Sequence, residues 1–329
     1  MKTAAYSIIQ PFFWRAYWTT MRPYLLFVSA AAGMVGFADG PHVSIVITAV
    51  LFTVFFLSYG FGQALTDCFQ MDTDAISSPY RPLIRGKINR GQVLTVSLIG
   101  LGFCCGVLFR LNPWTAAAGT ACVVGLSTYT PFKRKWWAGP FYNAWIVALL
   151  PMMGKMAAMG KGFNWHRLFG EGPLVPIMTG VFFSYANFVL MGYFKDVSAD
   201  RASGYRTFVV MFGWKKSAIA CDFLAFLSLT ATAWMFYSSS AEHPLDSSWW
   251  IPAVFYLGAV VLLAAGQIGI HRGCDEKAAY GPIANAVRGF ILLRLSETVW
   301  IRREWLIPSV LFYLLFEWVL ASRPERSQI

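Results

Sequence analysis

The chain has 329 residues, 57 % of them hydrophobic and 13 % charged, with a mean hydropathy of +0.52. These values exclude an ordinary soluble enzyme and fit an all-α polytopic membrane protein, with length enough for one bundle and its loops as a single domain over residues 1–329. The formal net charge of +11 does not point to nucleic acid, because the basic residues are scattered among apolar runs and form no aromatic-interleaved stripe.

The cysteines and histidines give no site. Cys104 and Cys105 are adjacent in an apolar run, whereas Cys68, Cys122, Cys221 and Cys274 are far apart and none has zinc spacing. His42, His166, His243 and His271 form no cluster, so a transition-metal centre is not expected.

Residues 7–21, SIIQPFFWRAYWTTM, combine aromatic and aliphatic side chains with Arg15 and no acid, the pattern of an amphipathic helix lying in the membrane interface. The stretch from Arg22 to Gly33 is built like a signal peptide, yet the apolar run continues to Phe37 and the segment before it is long, which argues against cleavage. Runs long enough to cross a bilayer lie near 23–39, 43–64, 92–110, 114–130, 138–158, 173–194, 215–237, 249–270 and 305–321, a count of nine. The region 281–303 is interrupted by Arg288, Arg294, Glu297, Arg302 and Arg303 and has no clear assignment among these spans.

With the amino terminus cytoplasmic, the inside segments collect most of the Lys and Arg residues, and the outside segments hold only Arg110, Lys155, Lys161, Arg167, Arg323 and Arg326. On this topology two acidic clusters face the cytoplasm and the carboxyl terminus lies on the opposite side. The first cluster is in Gly62–Arg90, where Asp67, Asp72 and Asp74 share a short polar stretch with Arg81, Arg85 and Lys87. On a continuous helix Asp67 and Asp74, two turns apart, would point within roughly 20° of each other. The second is Lys195-Asp196-Val197-Ser198-Ala199-Asp200-Arg201, where Asp196 and Asp200 form an i, i+4 pair. Charge at the lipid edge is expensive unless it serves a purpose. Two carboxylate pairs, each followed by arginines, suit two walls of a polyanion site, in which Mg²⁺ is shared with a phosphate-bearing ligand.

The first cluster, T-D-C-F-Q-M-D-T-D followed by Y-R-P-L, resembles the first aspartate-rich motif of the UbiA superfamily of intramembrane prenyltransferases. The second, K-D-x-x-x-D-R-x-x-G, is similar to that family's second motif. Tyr129-Thr130-Pro131-Phe132-Lys133-Arg134 is similar to the basic loop after its fourth helix. The first motif departs from the family pattern: Thr66 replaces the usual Asn and Gln70 the usual middle Asp. Both can still offer neutral oxygens to Mg²⁺ or its waters.

The resemblance implies a membrane enzyme that holds an allylic isoprenoid diphosphate through Mg²⁺. Asp67, Asp74, Asp196 and Asp200 would be the metal-binding carboxylates, with Asp72 beside them. Lys133, Arg134, Lys195 and Arg81, with Thr66 and Gln70, would surround the diphosphate. Ionisation to an allylic cation calls for a dry pocket and aromatic faces, with Phe61, Tyr129, Phe188 and Tyr193 as candidates. The prenyl group would pass to an aromatic or lipid acceptor; the alternative is a membrane-bound terpene cyclase, in which a double bond of the same chain attacks. A transporter would place its charges near the midplane in broken helices, whereas these aspartates end the spans.

Overall fold

The computed structural model describes residues 5–240 and 248–323, and every regular element among them is helical. Lys2, His243 and Arg326, counted in the sequence reading, lie outside the described residues. The helices are α1 (Pro11–Met21), α2 (Leu26–Ala38), α3 (Ile45–Asp67), α4 (Met71–Ser77), α5 (Arg90–Leu111), α6 (Thr115–Lys133), α7 (Gly139–Met159), α8 (Trp165–Gly170), α9 (Leu174–Gly192), α10 (Val197–Ala202), α11 (Phe208–Ser238), α12 (Trp250–Arg272), α13 (Tyr280–Ile301) and α14 (Leu306–Ala321).

Local chemistry sets several boundaries. Asn89 and Gln92 form a reciprocal capping box that starts α5, and the Ser44 hydroxyl accepts from the Ile47 amide at the start of α3. Within α11 the backbone breaks at Gly213, whose φ of 77° side-chain-bearing residues rarely adopt. The helix expected over residues 7–21 is α1, which buries Phe13, Tyr17 and Met21 and exposes Phe12, Trp14 and Trp18. It meets α2 at a 48° bend around Arg22 and Pro23.

At the centre of the bundle α2 packs on α3, α7 and α13, while α9 packs on α7, α11 and α13. Every residue of α2 is buried. Glycine allows the closest approach: a Cβ at Gly36 would stand 1.9 Å from the Pro151 carbonyl oxygen, and one at Gly154 would stand 2.1 Å from the Gly33 carbonyl oxygen. The α2 and α7 backbones therefore touch, as small residues permit within a membrane.

The chain is an integral membrane protein, but nine spans are not reproduced. Six helices, α3, α5, α9, α11, α12 and α14, are long and apolar enough to cross, or seven if the bent pair α1–α2 counts as one. Helices α6, α7 and α13 are of similar length but more polar, and some of their charged groups pair inside the bundle. In α7, Lys155 pairs with Asp39 at 2.9 Å, both side chains buried.

The region 281–303 is itself a long helix, α13, buried over most of its length. Arg294 is fully buried, lies 3.0 Å from Glu297, and donates to the Ile177 carbonyl and the Thr232 hydroxyl. A hydropathy reading registers those charges and misses their pairing. After α13, Trp305 packs near Phe37, whereas Phe316 packs on Phe27 and Glu317 pairs with Arg288. The last turns of α14 thus pack beside the first turn of α2 and the first half of α13.

Substituting Gly154→Val should force α2 and α7 apart and lower the unfolding temperature in detergent by more than 10 °C, whereas Gly102→Val, where an added Cβ meets nothing within 4 Å, should change it little. Thermal unfolding followed by size-exclusion chromatography checks both.

Candidate active site

Helix α3 ends at Asp67, and Cys68, Phe69 and Gln70 turn the chain before α4 begins. Asp67 and Asp74 are therefore not on one continuous helix, as their spacing suggested. They are brought together by a cation instead. Arg81 Nη1 lies 3.6 Å from Asp67 Oδ1 and forms a closer ion pair with Asp74. Arg22 donates to both Asp67 oxygens, at 2.8 and 3.1 Å, and the Gln63 amide donates to Oδ1 at 2.8 Å. Arg22 is the one non-glycine residue with positive φ among the described residues (φ 54°), a strained conformation held at the bend before Pro23. Burial pushes the Asp74 carboxyl up, against the pull of Arg81.

The second wall forms where α9 passes through a 3₁₀ turn, Tyr193–Lys195, into α10. Asp196 stands at the cap position of α10, and the Asp200 amide donates to its carbonyl at 2.8 Å, so the i, i+4 relation holds. Asp200 is fully buried, neither carboxylate oxygen has a hydrogen-bond partner, and the nearest charge is Lys133 Nζ at 3.6 Å. Burial pushes its carboxyl up to about 6, with Lys133 acting in the opposite direction. Lys133 also donates to Gln70 Oε1 at 3.0 Å, so the glutamine in the first motif ties the two walls together.

Between the walls is a polar cleft of about 710 Å³. Of the residues singled out in the sequence, Thr66, Asp67, Gln70, Asp74, Arg81, Lys133, Lys195 and Asp196 line it, as do the aromatics Tyr129, Phe188 and Tyr193. Asp200 lies behind Lys133 and does not. Asp72 and Arg134 are not in the cleft either. They pair with each other at 3.0 Å in an exposed position, and Asp72 accepts from the Tyr205 hydroxyl at 3.0 Å, which ties α4 to the end of α6 and to the loop after α10. Phe61 packs toward Gly100 of α5 instead of the cleft.

Next to the cleft is an apolar chamber of about 780 Å³ between α3, α5, α6 and α7, its walls including Leu101, Leu108, Cys122, Leu150 and Met153. Tyr59, Gln63, Thr66, Asn143 and Tyr185 line both spaces and mark the boundary. The Tyr59 and Tyr185 hydroxyls lie 3.3 Å apart, and those of Tyr129 and Tyr193 2.8 Å apart. The sequence reading missed Arg22, Gln63, Tyr59, Asn143 and Tyr185. Only Arg22 carried a signal, as a lone cation before a proline at the start of the first span.

Residues 25–281 match the UbiA prenyltransferase family. The chain is similar to a digeranylgeranylglyceryl phosphate synthase of Natronomonas pharaonis, with 31% identity over 225 residues, 66% of this chain and 72% of that protein. It is also similar to the chloroplastic chlorophyll synthase of Oryza sativa, with 26% identity over 205 residues, 56% of this chain and 50% of that protein, so it spans about half of that relative. Its fold resembles a UbiA homolog from Archaeoglobus fulgidus bound to DMAPP and Mg2+, with a TM-score of 0.61 and 16% identity, over 84% of this chain and 98% of that one.

The raised pKa of Asp200 has a testable sign. The folded protein holds this proton up to about pH 6, above the unfolded value, so ionisation costs stability as pH rises through 6. In metal-free detergent Asp200→Asn should raise the unfolding temperature by a few degrees at pH 7.5 and by clearly less at pH 5, because the stability lost to ionisation builds up between the unfolded pKa and the folded one. An equal change at both pH values would contradict the assignment.

Proposed function

The chain belongs to the UbiA prenyltransferase family, and we propose that it ionises an allylic isoprenoid diphosphate in the polar cleft and transfers the prenyl group to an aromatic or lipophilic acceptor. The observation that carries this reading is the shared wall of the two spaces. A cleft with cationic side chains adjoins an apolar chamber across Tyr59, Gln63, Thr66, Asn143 and Tyr185, matching a ligand with an anionic head and a hydrocarbon tail.

The cleft fits Mg²⁺. Asp67, Asp74 and Asp196 line the cleft with Thr66 and Gln70, and behind Lys133 both oxygens of the buried Asp200 carboxylate lack a hydrogen-bond partner. Among the described residues no three acidic, histidine or cysteine side chains converge into a metal cage. Mg²⁺ takes a few carboxylates and completes its shell with phosphate oxygens and water. When bound, Mg²⁺ supplies positive charge to the diphosphate oxygens.

The remaining work falls to the protein. Arg81, Lys133 and Lys195 face the cleft and hold the negative charge that develops on the leaving diphosphate. The rings of Tyr129, Phe188 and Tyr193 line the same cleft and offer π faces to an allylic cation. Beyond the tyrosine hydroxyls the chamber is nearly all apolar, which keeps water from the cation and orients the tail. The positive-inside bias supports a cytoplasmic position for the cleft.

The chamber also favours a second reading, cyclisation, because a folded prenyl chain enclosed by apolar walls can use its own double bond as the nucleophile. Purified protein in lipid nanodiscs, given Mg²⁺ and geranyl, farnesyl or geranylgeranyl diphosphate without acceptor, separates the two. Transfer predicts negligible diphosphate release until an aromatic or lipid acceptor is added; a cyclic hydrocarbon or terpene alcohol formed with stoichiometric diphosphate would replace it with the cyclase reading.

Asp67→Ala, Asp74→Ala, Asp196→Ala and Asp200→Ala should each reduce diphosphate release at least 100-fold, an order of magnitude expected when charge stabilisation at the leaving group is lost, while the proteins stay folded in detergent. Cys122→Phe, which fills the chamber wall, should reduce use of geranylgeranyl diphosphate far more than that of geranyl diphosphate, measured as the ratio of kcat/KM values.

A further inference from the structure

Helix α10 is capped from outside its own segment. An N-cap aspartate ordinarily turns its side chain onto the amide two or three residues ahead, yet Asp196 makes no such hydrogen bond. The Ser198 amide is taken by Glu276, which lies 78 residues away in the turn between α12 and α13. One carboxylate oxygen of Glu276 accepts from the Ser198 amide, and the other accepts from the Ser198 hydroxyl at 3.0 Å. The turn that carries Glu276 is itself held, since the Asp275 side chain accepts from the Ala278 amide at 2.9 Å, and it packs against the Tyr193–Lys195 turn. The Asp196 carboxylate, freed from capping, lines the cleft, where its charge acts on Arg81, Lys133 and Lys195.

We propose that Glu276 is a positioning residue: by capping α10 in place of Asp196, it keeps the Asp196 carboxylate in the cleft and available to a divalent cation and its diphosphate. The inference rests on the cleft being the cation and diphosphate site. Without Glu276, the Ser198 amide is left without its acceptor, and Asp196 is the side chain stationed to replace it. Turning back onto the helix withdraws that carboxylate from the cleft. Glutamine at position 276 keeps an oxygen for the amide and a group that can hydrogen-bond the hydroxyl, so it preserves the arrangement. Alanine does not, and aspartate is one methylene shorter.

The test is binding of Mn²⁺, an oxygen-seeking stand-in for Mg²⁺, followed by electron paramagnetic resonance on full-length protein in nanodiscs, with inorganic pyrophosphate and no allylic substrate. Glu276→Ala should weaken Mn²⁺ binding about fivefold, the size expected for loss of a helix cap, whereas Glu276→Gln should bind within twofold of wild type. In an Asp196→Ala background, Glu276→Ala should cause no further loss, which a general loosening of the loop would not reproduce. If Glu276→Ala does not remain folded, Glu276→Asp carries the same expectation.

Unchanged Mn²⁺ binding in Glu276→Ala, equal weakening by glutamine and alanine, or an additive loss in the Asp196→Ala background would each overturn the positioning role. Failure of wild-type protein to bind Mn²⁺ with pyrophosphate would instead overturn the cleft as the cation site.

Discussion

The Arg81 guanidinium, set between Asp67 and Asp74, is the interaction on which the cleft depends. Helix α3 stops at Asp67 and the chain turns before α4, so no continuous backbone aligns the two carboxylates. Each is nearly buried, and a buried carboxylate left unpaired is costly. Arg81 neutralises both, and Arg22, held in a strained conformation at the bend between α1 and α2, adds a second partner for Asp67. The cationic side chains that stabilise the acidic wall are thus already aimed at the space where an anionic head would sit. Stability of the fold and readiness for the ligand come from the same contacts.

The opposite wall is built differently. Asp200 is buried, its oxygens make no close hydrogen bond, and its positive partner is Lys133, an ion pair at 3.6 Å. Lys133 reaches across to Gln70, linking the end of α6 to the first wall. A glutamine at that position gives up one anionic oxygen but gains a neutral bridge to a lysine. The apolar chamber beneath then needs only the close packing of α3, α5, α6 and α7, which the thiols and small residues of α5 and α6 allow.

Much of this was legible in the sequence because membrane insertion and charge clustering leave strong signals. A helix at the start of the chain, most of the apolar helices and the two acidic motifs were all visible there. The failures share one cause, which is pairing between residues distant in the chain. Arg294 and Glu297 made α13 look like an interruption, although they pair with each other at 3.0 Å inside the bundle. Asp72 and Arg134 looked like cleft residues, but they satisfy each other on the surface. Tyr59, Asn143 and Tyr185 could not be singled out, since nothing in the local sequence distinguishes an aromatic or amide that lines a chamber from one that packs.

The most direct test of the central claim, head group in the cleft and tail in the chamber, is photo-crosslinking with a farnesyl diphosphate analogue that carries a diazirine at the tail end, followed by mass spectrometric mapping of the labelled peptides. The account predicts Mg²⁺-dependent labelling in α5, α6 and α7 near Leu108, Cys122, Leu150 and Met153, competed by unlabelled farnesyl diphosphate. Competed labelling confined to the α11–α12 side of the bundle, with none in the chamber, would contradict it.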